Sequence, residues 1–396
     1  MTSTQSLDEV EAHRPDTGSG WLPLAVAGIS LLFGIFGTCW AFGWWEYPLG
    51  ASGETMPSLL SHLPNDLSAG LLAVLGWLGI PAALAFRRYD WSPSAFRPLL
   101  VFAAVEALVF GLLATDLSVV VITGYLLAVF GIPAAAVFLL IGAWRQRTLR
   151  LLAVVAAVFV VVAQLTVGLF DWAAFRQLGE GMATVPDKLG TRPLYVFGAF
   201  LLGVAWAILT IQGSRAARHR CLACGRPGAR WTRPEVARRW GFWATIVAVL
   251  CPMPYALLRM TWLLPNPIGF SAEELDADPG IRLFGLGLGL VALAAGLVTL
   301  GLIRPWGEIW PRWMPVLAGR PVPIKAAVIP GAVATVLLLV ASPSLIEMTW
   351  SQGGSSWDNL KWFLLFPFPV WGASVGLATA AYYYRRRTPC PTCHQP

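Results

Sequence analysis

Ten stretches of this chain are long and apolar enough to cross a lipid bilayer, and that succession decides what it can fold into. A spanning helix takes about 20 mainly apolar residues. The qualifying segments run approximately over 22–44, 67–86, 98–115, 117–143, 150–171, 193–213, 240–263, 283–303, 326–346 and 361–384. Hydrophobic residues make up 57% of the 396 and charged residues only 12%, about half the usual charged share. One soluble core could not hide that much apolar surface, so a bilayer takes most of it. The fold class is therefore all-α: a polytopic helical membrane protein of about ten transmembrane spans. The third and fourth spans are separated by only a residue or two near Asp116, which requires a tight hairpin.

The charges orient these spans. With the N-terminus inside, most of the Lys and Arg fall in inner loops and tails, and most of the Asp and Glu fall in outer loops and span ends. That is the asymmetry the positive-inside rule demands, and an odd number of spans would scramble it. The expectation is a plasma (inner) membrane protein with both termini cytoplasmic. The net charge of +7 sits in short loops rather than on a soluble face, so no nucleic-acid partner is expected. Residues 1–20 are polar, with Asp8, Glu9 and Glu11 where a secretion signal needs positive charge. They read as a disordered cytoplasmic tail, and the first span reads as retained. The remaining organisation is spans one to six over 21–213, a cytoplasmic loop over 214–239, spans seven to ten over 240–384, and a cytoplasmic tail over 385–396.

The strongest chemical signal lies in that loop and that tail. The arginine-rich loop holds Cys221 and Cys224 in CLACG, and the tail holds Cys390 and Cys393 in CPTCH, just after Arg385, Arg386 and Arg387. Zinc favours four tetrahedral soft ligands, and two Cys-x-x-C pairs supply that set. His394 is a spare ligand. Both pairs fall on the reducing side, where structural disulfides are rare. The expected cofactor is a structural Zn²⁺ clipping loop to tail. A redox dithiol or thiols without a special role are the competing readings, although no thioredoxin-like strand–helix pattern flanks either pair.

Two charges fall within spans. Glu106 lies in VFAAVEALVFG and Arg259 in PYALLRMTW. An ionised carboxylate in hydrocarbon costs at least about 2.5 kcal/mol, so Glu106 must face the bundle or water, be paired, or be protonated. One expectation is a Glu106–Arg259 pair; the other is that Arg259 snorkels to the outer surface. Paired prolines, Pro252 with Pro254 and Pro367 with Pro369, should kink or break the seventh and tenth spans. Broken helices line binding sites in transporters. These six residues are therefore the candidate intramembrane binding site, with packing contacts and ligand-free kinks as the plain alternative.

Other stretches are less telling. The segment 304–325 carries Trp306, Trp310 and Trp313 at helical spacing among five prolines, and reads as an interfacial anchor. In SAEELDADPG, Ser271 with Glu274 fits a capping box, so a short surface helix is favoured over a calcium site. GIPAA recurs at Gly79–Ala83 and Gly131–Ala135, compatible with a duplicated hairpin or with biased composition. Phosphate-loop, zinc-protease and nucleophile-elbow signatures are missing. His13, His62, His219 and His394 are the only histidines, and the inner His219 and outer His62 cannot share a site. A lipid-modifying enzyme could still use outer carboxylates such as Glu46, Asp171 or Glu347.

GLIRPWGEIWPRWMPVLAGRPVPI and PYALLRMTW together resemble blocks in uncharacterised multi-pass membrane proteins of actinobacteria, mainly over residues 240–325. The resemblance implies location and topology and carries no activity. The sequence thus leads to a small-solute transporter or permease-like protein whose substrate is unspecified. The alternative is a membrane scaffold or sensor whose zinc knuckle binds a cytoplasmic partner or anionic lipid. The lipid-modifying enzyme comes third.

Overall fold

The computed structural model describes residues 20–396 apart from 51–57, 88–92, 145, 168–171, 173–175, 178, 182, 185–189, 219, 222–223, 227–229, 313, 315–316, 352–355, 391–392 and 394–396. The N-terminal tail, His13, His219, His394, Asp171 and Trp313 lie outside the described residues.

The expected spans are all helical. In chain order they are α1 (Trp21–Ala41), α2 (Asn65–Ala85) and α3 (Pro93–Leu108), which continues through a π-turn, Val109–Leu113. The fourth span is α4 (Ser118–Leu126), a second π-turn, Leu127–Gly131, and α5 (Ile132–Ala143). Next come α6 (Arg147–Val167) and α7 (Arg192–Ala216). The seventh span is α8 (Pro234–Leu250) and α9 (Met253–Met260); after it lie α10 (Ala272–Ala277), α11 (Pro279–Leu300) and α12 (Ile324–Ser351). The last is α13 (Ser356–Leu365) and α14 (Phe368–Arg386). Nine helical stretches among the described residues are long and apolar enough to cross a membrane. The other expected span is α6, whose apolar part, Leu149–Leu165, is shorter.

Large apolar side chains such as Leu71, Leu78, Leu151, Val161 and Leu297 face outward. In water such a surface would aggregate, but against lipid tails it is the surface a spanning bundle needs. Inside, the first half of the chain builds one continuous core around Phe33, Leu72, Phe110, Leu202 and Trp206. Its helices pack backbone to backbone. A Cβ on Gly76 would lie 2.3 Å from the Gly34 nitrogen, so α1 and α2 approach this closely only because position 76 is glycine. The second half is held by smaller clusters, including Trp262 with Leu275 and Leu286, and Ala378 with Tyr382 and Leu302.

The proline expectations divide. Cys251 and Pro252 interrupt the seventh span between α8 and α9, and Phe366 with Pro367 interrupts the tenth between α13 and α14. Single prolines behave differently: Pro81, Pro98, Pro330 and Pro343 all stay inside helices. The segment 304–325 is a pinned hairpin-like turn. Trp310 N–H donates to the Arg320 carbonyl (2.9 Å), Val322 N–H donates to the Glu308 carbonyl (2.9 Å), and Ile309 bridges to Pro321. The capping box of α10 is present, with Ser271 and Glu274 bonding reciprocally. Its bonds from Ser271 hold the Glu274 carboxyl below the usual carboxylate range. Of the GIPAA pair, one copy lies in unbroken α2 and the other straddles the π-turn before α5.

Candidate metal centre

At one end of the bundle the loop after α7 meets the tail after α14. Arg220 N–H donates back to the Arg215 carbonyl (2.9 Å), closing the end of α7. The chain then doubles back: Cys221 N–H donates to the Arg226 carbonyl (3.0 Å) and Gly225 N–H donates to the Cys221 carbonyl (2.7 Å). The turn requires Gly225 at φ +72°, a left-handed conformation that costs a side-chain-bearing residue. This is the knuckle that CLACG encodes, and it points both sulfurs of the loop to one side.

The tail supplies the other two. Cys221 Sγ lies 4.0 Å from Cys390 Sγ, and Cys224 Sγ lies 3.5 Å from Cys393 Sγ. All four sulfurs fall within 4.8 Å of one another. Four ligands at about 2.3 Å from a tetrahedral zinc would sit roughly 3.8 Å apart, so the donor set fits that ion in number, type and size. Disulfides would need sulfurs near 2.05 Å, and all four cysteines are free thiols. Burial pushes the Cys224 thiol up to about 12, and the neighbouring thiols add to the rise. A bound cation would instead deprotonate the cluster outright.

Arginines fasten the surroundings. Buried Arg226 donates to the Thr388 carbonyl (3.2 Å), tying the knuckle to the tail beside Cys390. Arg385 donates to the Leu302 carbonyl (2.5 Å) and pairs with Glu308 (3.3 Å). Arg386 donates to the Val322 carbonyl (3.0 Å) and to the Tyr382 hydroxyl, which in turn donates to the Gly307 carbonyl (2.6 Å). Loop, tail and the 304–325 turn thus form one assembly.

The intramembrane candidates do not form one site. Glu106 is fully buried on α3, and among the described residues neither carboxylate oxygen has a hydrogen-bond partner. Arg259 sits in the last turn of α9, its guanidinium 5.0 Å from the Tyr255 ring and 4.1 Å from the Trp262 ring. The expected Glu106–Arg259 pair is therefore absent. Glu106 lies in α3 among the helices of the first core, whereas aromatic faces hold Arg259 against the second half. The two proline breaks do meet, through Tyr255 and Phe366, whose ring centroids are 5.1 Å apart. Of the carboxylates expected on the outer side, Glu347 pairs with His62 (2.8 Å) and Glu46 is exposed in the connection after α1.

One polar centre escaped the sequence reading. Arg192 Nε donates to Asp116 Oδ2 at 2.9 Å, with both side chains buried. Its Nη1 also donates to the carbonyls of Pro48 (3.2 Å) and Gly50 (3.0 Å). Asp116 Oδ1 accepts from the Ser118 N–H (2.9 Å) and from the Ser118 hydroxyl. This network ties three connections together at the start of α7. A lone acid in a span hairpin and an arginine before Pro193 were its only visible signals.

Fold and site together define a multi-pass helical membrane protein with a four-cysteine cluster. No protein-family model matches the chain. No curated protein matches it. No solved structure matches it either.

Proposed function

We propose that this is a plasma-membrane scaffold or sensor, with both termini cytoplasmic, whose loop and tail are clipped by a structural zinc into one arginine-rich platform. The observation that carries the reading is the convergence of four sulfurs from Cys-x-x-C pairs 169 residues apart. A closed four-cysteine site has no open position for catalysis, so its role is to hold a surface. That surface includes Arg218, Arg220, Arg230 and Arg233 of the loop with Arg238 and Arg239 near the start of α8, and its charge suits an acidic partner. The likeness to uncharacterised actinobacterial membrane proteins is compatible with this location.

The test is photo-crosslinking in cells from a probe at Arg233, in wild type and in Cys221→Ser. A specific adduct that disappears in the variant, at unchanged membrane level, supports the platform. Equal adducts in both, or none in wild type, refute it. The transport reading has one specific observation behind it, the meeting of the two proline breaks beside Arg259. It requires that Glu106→Gln stop flux of a solute without lowering membrane level.

A further inference from the structure

We infer that Arg259 is the anchor of a phosphate-binding site at the C-terminal end of α9. The guanidinium lies over two aromatic rings, its Cζ 5.0 Å from the Tyr255 centroid and 4.1 Å from that of Trp262. Stacking uses the faces of the planar group and leaves its edge, with five N–H donors, free for an oxyanion. Among the described residues Arg259 Nε, one of those edge donors, is buried without a hydrogen-bond partner. The ion pairs among the described residues do not include Arg259.

The acids of nearby α10, whose Leu275 packs on Trp262, are largely committed elsewhere. Glu274 is engaged by Ser271, Asp276 pairs with Arg282 at 2.9 Å, and Asp278 accepts from Ile281 N–H. A cation held at a span end without a protein counter-charge calls for an anion from outside the chain.

The site is also stiff. Trp262 donates to the Ile268 carbonyl (3.1 Å), and Tyr255 is braced by Phe366. On the far side α11 comes so close that a Cβ at Gly285 would lie 2.1 Å from the Trp262 ring, and one at Gly289 would lie 2.8 Å from Arg259 Cβ. The arginine is therefore positioned before any ligand arrives, which lowers the ordering cost of binding. Phosphate is the oxyanion an arginine fork matches with two parallel bonds. Tryptophan and tyrosine at a span end mark the headgroup layer, where phosphate is abundant. The source is either a phospholipid headgroup or free phosphate, and the site stands whether or not a solute passes it.

The test uses purified full-length protein in detergent and follows its melting temperature. Inorganic phosphate is titrated in one arm and phosphatidylglycerol in mixed micelles in the other, each against chloride at equal ionic strength. A saturable rise is expected, lost in Arg259→Gln. Arg259→Lys keeps the charge without the fork and should bind roughly tenfold more weakly, as one of two parallel bonds is lost. A response to inorganic phosphate assigns a free anion, and a response to phosphatidylglycerol alone assigns a headgroup. No response in wild type overturns the proposal, as does an undiminished response in Arg259→Gln. Should that variant not fold, Arg259→Lys decides alone, and affinity equal to wild type overturns the fork.

Discussion

The two ends of the bundle are closed by different chemistry. At one end, Asp116 and Arg192 neutralise each other, and neighbouring backbone groups take up their remaining bonds. Both charges belong to the chain, so that closure forms whenever the chain folds. At the other end, four sulfurs stand within 4.8 Å of one another, a spacing that fits an ion between them. Arginine-to-carbonyl bonds bring the strands of chain together there, but the thiols attract one another only weakly. One end is self-sufficient and the other, on the function proposed above, is conditional on a metal.

The largest effect should come from breaking the self-sufficient end. Arg192→Ala leaves Asp116 buried without a counter-charge and should cost about 3–5 kcal/mol of stability, read by denaturation in detergent. Replacing both partners, Asp116→Leu with Arg192→Met, should recover much of that loss, because no orphan charge remains. If the single variant is as stable as wild type, the ion pair is not what holds that end.

Metal removal should act at the other end and stay local. Chelation is expected to open the arginine-rich loop and the tail to trypsin while the spans remain protected. Acidification should act in the same direction, because zinc ligands must be deprotonated and protons compete for the thiolates. Global unfolding on chelation would erase the contrast between the ends. The smallest effect is reserved for Arg226→Ala, which removes the bond to the Thr388 carbonyl but no ligand. Zinc should be retained with about tenfold lower affinity, measured by competition with a chromophoric chelator.

Much of this contrast could be read from the sequence, and unevenly. The spans follow from run length, because a bilayer leaves an apolar stretch no other structure. The cysteines were legible because ligand spacing is local within each pair, and an even number of spans returns both pairs to one side. Paired prolines marked real breaks, since Cys251–Pro252 and Phe366–Pro367 interrupt their helices. Pro81 and Pro343 did not, because neighbouring helices and local adjustment tolerate one missing donor. What stayed hidden is long-range pairing. Asp116 and Arg192 are 76 residues apart, and nothing in either neighbourhood names the other. The same blindness made Glu106 and Arg259 look like partners. They are the two charges within spans, yet one is buried in the first core and the other stacks on Tyr255 and Trp262.

The central claim is that the cysteine end is built around a metal, and metal content tests it most directly. Detergent-purified wild type would be compared with a Cys390→Ser, Cys393→Ser variant, both freshly prepared and reduced, by elemental analysis. The account predicts stoichiometric zinc in wild type, one ion per four-cysteine set, and none in the variant. Metal-free wild type, or zinc that persists in the variant, would contradict it.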